Sequence, residues 1–467
     1  MNSQDQHSGQ GAIANLPHQT LLAALRNRRS RRFGAGMNIP DGPLAYRSRF
    51  GPAPLTEDEE AALVFAACGI TGPALADLCY ARGQGGNIMA GLVGRTIASG
   101  DGIQSVALIV TNDQSTCLVR RPRDFPAAEI PQLIALSQDQ KLTELYRRTR
   151  VQFKCSRSAP PLTPLNNINA NIWSAHAAGT TCFLPINDLT LLYINGLLEI
   201  FNETTGAFIL DERAGFRPAG LAKFARSRGG HLEDVPSAGR LATIKHVELM
   251  VAEFAAIEQG MMLQNLGLMS EALGLGGYPN FANHENAWFE ALGFRMGSMT
   301  SSRYLGMSPI LGTLARWFGK DVPVNYPLGL EPAGEPLLRP FCPPCFPSMR
   351  DAVEAVVALK FGPAGTFSPD NPLAPWRDGR DVAAAIPKLS PAAVAATIAY
   401  CEYVWDRYGR FPAHLAPFRT VVAFQAAHLD AEFYDRFYQP EAVGENQRQD
   451  FAKWSGNSGK PGAPRGD

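Results

Sequence analysis

The chain has no excess charge of either sign. Its 43 basic residues balance 43 acidic ones over 467 positions. A balanced chain has no global electrostatic pull toward nucleic acid or an acidic membrane surface, so neither partner is expected. No apolar run approaches the ~20 residues that cross a bilayer. Leu191 to Phe201 is too short, and the long helical stretch from Ile244 carries Lys245, Glu248, Glu253 and Glu258. Met1 to Gln10 is polar and lacks the apolar core of a signal peptide. The eight cysteines are scattered and form no small disulfide framework, which fits a reducing compartment. A cytoplasmic protein outside the membrane is expected. The chain also has no G-x-S-x-G, no Walker loop and no H-E-x-x-H, so Ser-His-Asp hydrolysis has no local support.

The length corresponds to roughly two to three ordinary units. Residues 1–15 read as a disordered lead. Thr20 to Arg28 has its leucines on one helical face. Gly34 to Pro54 is rich in Gly and Pro and reads as irregular. Thr56 and Glu59 have capping-box spacing at the next helix start, where acids favour the positive helix end. Val106 to Val110 is a continuous apolar run, the pattern of a buried central strand, with Cys117 to Val119 as its hairpin partner. Leu189 to Phe201 reads as a helix or a buried strand. Ile244, Val247, Val251, Phe254, Met262, Leu266, Met269 and Leu273 keep helical spacing. Gly274, Gly276 and Gly277 then stop that helix. Glycine there supplies a left-handed cap, and its missing Cβ also lets a flat cofactor approach backbone N–H groups. Val322 to Leu330 reads as a late strand whose two prolines suggest an edge. Residues 340–445 read as a helical C-terminal extension and 446–467 as a disordered tail.

Four side-chain groups are candidates for chemistry. Arg28, Arg29, Ser30 and Arg32 follow a helix and precede a glycine turn. Guanidinium groups bind phosphate bidentately and a serine hydroxyl adds a donor; the alternative is a solvated basic surface. Ser99, Gly100 and Gln104 lead into the Val106 strand and either line a pocket or form a capped loop. Cys342-Pro343-Pro344-Cys345 has redox or zinc spacing, but no second such pair and no nearby histidine. His428 with Asp430, Glu432 and Asp435 offers metal-ligand types among aromatic residues that also suggest simple packing.

In their order along the chain, these segments resemble the FMN-dependent nitroreductase superfamily, and most of all its thiazole/oxazole-forming dehydrogenase-like branch. Arg28-Arg29-Ser30-Arg31-Arg32-Phe33 is similar to its phosphate motif. Pro54-Leu55-Thr56-Glu57-Asp58-Glu59 is similar to its next helix start. Arg95 to Gly100 with Gln104 corresponds to the segment before its first core strand. Gln264-Asn265-Leu266 and Leu273 to Gly277 fall in register with its long helix and glycine end. The resemblance covers roughly residues 20–110 and 240–335. It implies an α+β fold, a nitroreductase-like mixed sheet flanked by helices, over 16–335 with a large insertion at about 121–235. It further implies FMN held non-covalently by Arg28, Arg29, Ser30, Arg32, Ser99, Gly100, Gln104, Gln264, Gly276 and Gly277. It implies a homodimer with flavin at the subunit interface, a small organic substrate, and NAD(P)H as a candidate electron donor.

Departures from the family pattern are Ala98 before Ser99, Gly102 in place of asparagine, and no adjacent Lys-Tyr pair, which argues against azoline oxidation. A second basic copy, Arg47-Ser48-Arg49, is the rival phosphate motif. Arg303 and Arg339 are further phosphate counterparts, and Tyr278 and His284 the nearest acid–base groups. These departures motivate the alternative, a non-catalytic flavin-fold or partner-binding protein of a biosynthetic cluster.

Overall fold

The computed structural model of the chain describes residues 16, 19–76, 81–82, 84, 86–100, 102–163, 166, 168–281 and 285–457. The expected disordered lead and His284 lie outside these residues. No helix among the described residues is long and apolar enough to cross a membrane.

The first helix, α1 (Leu21–Asn27), is capped by Thr20, whose hydroxyl accepts from Ala23 N–H. Helix α2 (Glu57–Cys68) opens on a complete capping box. Thr56 accepts from Glu59 N–H, and the Glu59 carboxylate accepts from Thr56 N–H. Strands β1 (Val106–Thr111) and β2 (Thr116–Val119) form the expected hairpin, with Ile109 opposite Leu118. Helices α3 (Ile130–Gln138) and α4 (Leu142–Thr149) follow, then β3 (Arg150–Lys154), β4 (Thr181–Asp188) and α5 (Leu189–Ile200). The long helix α6 spans Ile244–Leu273 and ends on Gly274 in the left-handed conformation. Strand β5 (Gly276–Phe281), α7 (Glu285–Leu292) and β6 (Arg295–Thr300) come next. Then come α8 (Ser301–Tyr304), α9 (Pro309–Trp317) and β7 (Pro323–Gly329). The last part contains α10 (Met349–Phe361), α11 (Gly379–Ala385), α12 (Pro391–Tyr408), β8 (Val422–Ala427), α13 (Ala431–Phe437) and α14 (Glu445–Asn457).

The architecture is mixed α+β, with one large antiparallel sheet and several small ones. The large sheet runs β5-β8-β4-β1-β2-β3, and Phe418–Arg419 pairs with the end of β4. Both faces of the sheet are covered. Leu108, Val110, Phe183 and Phe424 pack against α2 and α6. Ala107, Ile109 and Leu184 pack against Trp288, Phe289 and Phe294 on the other side. Burial on both faces explains why β1 is apolar from Val106 to Val110 although it is antiparallel.

The structure corrects three expectations. Residues 340–445 are not an appended helical extension, because β8 lies between β5 and β4 in the large sheet. Residues 121–235, expected as a large insertion, supply β4 and the buried helix α5. The tail forms α14 as far as Asn457; Phe451 and Trp454 pack on Phe50, so aromatic anchors outweigh its polar composition. The stretch Gly34 to Pro54 contains a short antiparallel pair, Asn38–Ile39 with Tyr46–Arg47. The late strand is as expected: among the described residues β7 pairs with β6 alone, in a two-stranded sheet.

Candidate functional site

The basic segment leaves α1 in extended form, and Arg31 bridges Gly277 on the outer side of β5. The cluster divides. Arg31 turns inward and pairs with Glu271 at 2.6 Å, both buried, while its Nε donates to Ala442 O. Ser30 and Arg29 stay exposed, and Arg29 donates to the carbonyls of Arg26 and Arg28. Arg32 donates to Asn171 Oδ1 at 2.6 Å and stacks over Trp173 and Tyr278. Arg28 lies along α6, its Cδ 3.6 Å from where a Cβ on Gly267 would fall.

Arg29, Ser30 and Arg32 face a cleft of about 440 Å³. Trp173, Tyr434 and Tyr438 form its aromatic walls, with Phe33 and Phe433 beneath. Phe33 and Phe433 stack with centroids 4.1 Å apart. Tyr434 Oη accepts from Phe33 N–H, which fixes the wall to the basic segment. Beside the cleft, Asn171 Nδ2 donates to Asn280 Oδ1 on β5, and Tyr278 Oη pairs with Ser174. Such a cleft suits an aromatic anion: guanidinium groups at the mouth and flat rings inside. Tyr434 and Tyr438 belong to the aromatic residues around His428 that the sequence offers as simple packing; Trp173 carries no local signal.

The other predicted cofactor residues lie along a different part of α6. Ser99 donates to Glu258 Oε1 at 2.5 Å and accepts from Gln104 N–H. Gln104 sits at φ 55° and donates its amide to Val93 O. A Cβ on Gly100 would meet the Phe254 ring at 3.2 Å. Buried Glu258 also accepts from Ser105, Val106 N–H and Asn187, so this network holds the start of β1 against α6. Gln264 is exposed in a shallow open groove with Thr96, Ala98, Gly260 and Asn265.

Gly276 and Gly277 are in strand β5, not a loop, and both are buried. Their ladder partners are Ala427 and Ala426. A Cβ on Gly276 would fall 3.0 Å from Arg31 O and would clash with Leu429; one on Gly277 would meet the Phe424 ring. These glycines are required by close backbone and side-chain packing. Gly276→Val is therefore expected to destabilise the fold by about 1–3 kcal/mol or more through overpacking. A urea melt checks this, and loss of flavin in that variant says nothing specific about a cofactor contact.

The remaining candidates resolve by geometry. Cys342 is buried, Cys345 half-buried, and burial pushes both thiols up, the reverse of a reactive thiolate. Their turn precedes α10 by several residues and does not sit at its N-terminus. The metal set on α13 does not converge. Glu432 pairs with Arg49, Asp435 with Arg448, and Asp430 caps α13. His428 instead lies between Asp450, 2.9 Å from Nδ1, and Glu59, 3.4 Å from Nε2, with all three buried. Each ring nitrogen has its own carboxylate, the pattern of a doubly paired imidazolium. Arg303 lies beside Gly409, and Arg339 pairs with Glu331, so neither joins the basic cleft. Of the second basic copy, Arg49 is committed to Glu432 and Ser48 is buried.

No protein-family model matches the chain, and no curated protein matches it.

Proposed function

We propose that the protein binds FMN non-covalently in the cleft beside Arg29, Ser30 and Arg32, as a nitroreductase-like oxidoreductase acting on a small organic substrate. The observation that carries this reading is one cleft combining guanidinium groups with three aromatic walls. FMN has the matching chemistry, a phosphate joined to a flat heteroaromatic ring. A volume of about 440 Å³ is within the usual range for such ligands, about 300–1,000 Å³. Arg29 and Ser30 bind the phosphate, and Trp173 and Tyr438 receive the ring. Arg32, held by Asn171, keeps a fixed positive charge at the wall, which stabilises negative charge on a reduced ring. When bound, FMN supplies the hydride chemistry, and the protein binds and orients it. NAD(P)H is the proposed reductant.

A homodimer is part of the proposal. Helix α6 exposes Leu249, Met250 and Ile257, and α1 exposes Leu21 and Leu22. A partner subunit on that stripe removes apolar surface from water and covers the Gln264 groove.

Arg29→Glu tests the reading, because Arg29 is exposed and its loss leaves the core intact. FMN binding, followed by flavin fluorescence quenching, is expected to weaken about tenfold or more, ~1.4 kcal/mol. Unchanged affinity would move the phosphate elsewhere. One observation favours a non-catalytic flavin-fold protein: Ser99 and Gln104 spend hydrogen bonds on Glu258 and Val93. Flavin-loaded protein that NAD(P)H does not reduce, and that no candidate substrate reoxidises, would select that reading.

A further inference from the structure

Two apolar pairs with helical spacing line one cavity. Val357 and Phe361 lie four residues apart on α10, and Val394 and Ile398 four apart on α12, so each pair sits on one face of its helix. The cavity holds about 570 Å³, and Leu389 also lines it. Val357, Leu389 and Val394 rest on the main apolar core, and Ile398 belongs to it. Ala395 and Ala399 continue the α12 wall and add little bulk to it. The charges around the cavity are unevenly paired. Glu354 and Glu402 both lie beside Arg350, at 3.9 and 3.5 Å. Lys223 and Lys388 also line the cavity, and neither has a carboxylate partner among the described residues. The Lys223 ammonium instead sits 5.0 Å from the centre of the Phe224 ring, and the Lys388 ammonium 4.8 Å from that of Phe361.

We infer that this cavity binds a small organic anion with an apolar body, of which a medium-length fatty carboxylate is the simplest member. The volume falls within the range of small-molecule sites, about 300–1,000 Å³. The charge decides between ligands. Of the five charged groups in the lining, both acids share Arg350, so the two lysines hold the uncompensated charge. A neutral ligand would leave them unused, and a cationic one would meet like charge. The lysines therefore receive the anionic head, and Val357, Val394 and Ile398 receive the body. Removing that apolar area from water supplies the non-directional part of the affinity. None of these residues lines the basic aromatic cleft.

The test is isothermal titration calorimetry of the full chain with decanoate, decanol and decylamine, each below its micelle concentration. Decanoate is expected to bind at one site per chain, about tenfold or more tighter than decanol or decylamine. Lys223→Gln/Lys388→Gln is expected to lose about tenfold in decanoate affinity and to leave decanol binding unchanged. Ala395→Glu puts bulk and a carboxylate into the cavity and is expected to abolish decanoate binding. All three side chains are exposed, and circular dichroism checks that the variants are folded. Arg29→Glu, at the proposed flavin cleft, is expected to bind decanoate as the wild type does. Decanoate that does not bind, or binds no tighter than decanol, would overturn the inference. So would unchanged decanoate affinity in the lysine variant or in Ala395→Glu; if Arg29→Glu weakens binding instead, the anion occupies the flavin cleft.

Discussion

His428→Ala is expected to lower the unfolding free energy by about 3–5 kcal/mol, the cost of breaking a buried ion pair from one side. The imidazole joins three distant parts of the chain: the end of β8, which it directly follows, α2 through Glu59, and α14 through Asp450. Removing it leaves two carboxylates buried without their cation. Glu59 keeps its capping-box donors, but Asp450 has no comparable replacement. Urea unfolding of wild type and variant measures the difference. Its pH dependence has a definite sign. Burial alone would lower the His428 pKa, but hydrogen bonds to Asp450 and Glu59 outweigh it and raise the group from 6.5 to about 10. The folded state binds this proton more tightly than the unfolded chain. The stabilisation is therefore complete below pH 6.5 and is lost as pH rises through about 10. His428→Ala should not show that alkaline decline.

Arg31→Met is expected to cost a similar amount, about 3–5 kcal/mol, and to weaken FMN binding as well. Arg31 neutralises Glu271 near the end of α6, where Gln447 of α14 also donates to the same carboxylate. Its backbone bridges β5 and its Nε reaches Ala442 at the rim of the cleft. Without it, the segment carrying Arg29, Ser30 and Arg32 loses its anchor, although none of those side chains is changed. Arg31→Met/Glu271→Leu is expected to recover part of the stability, because no unpaired charge then remains buried. Thermal melts of the single and double variants, together with FMN titration, separate the two effects. A single variant with wild-type stability would show that the pair contributes nothing net.

Local signals were legible where local physics decides. The Thr56 cap, the β1–β2 hairpin, the α6 periodicity and the Gly274 cap each depend on residues close in sequence. Long-range pairing was not legible. Strand β8 is alanine-rich, a poor strand former alone, and gains its place from β5 and β4, to which no tight turn connects it. Helix α14 looked like a polar tail because its anchors are few: Phe451, Trp454, Asp450 and Gln447. The basic segment was legible by composition but not by direction. Adjacent arginines suggest one phosphate cradle, whereas the buried Glu271 and the Ala442 carbonyl take Arg31 into the core and leave Arg29 and Arg32 at the cleft. The glycines after α6 suggested a ligand loop, and the space they leave is filled by Leu429 and Phe424. The aromatic walls come from Trp173, from Tyr434 on α13 and from its C-cap Tyr438, which the tertiary fold brings to Arg32.

The proposed occupant of the basic aromatic cleft is a coloured flavin. The most direct measurement is the visible absorption spectrum of the purified full chain, after incubation with FMN and removal of the excess. A yellow protein that releases FMN on denaturation is expected. Its Trp173→Ala and Arg29→Glu variants should retain much less of the flavin. A colourless protein that cannot be reconstituted with FMN would rule out the flavin site.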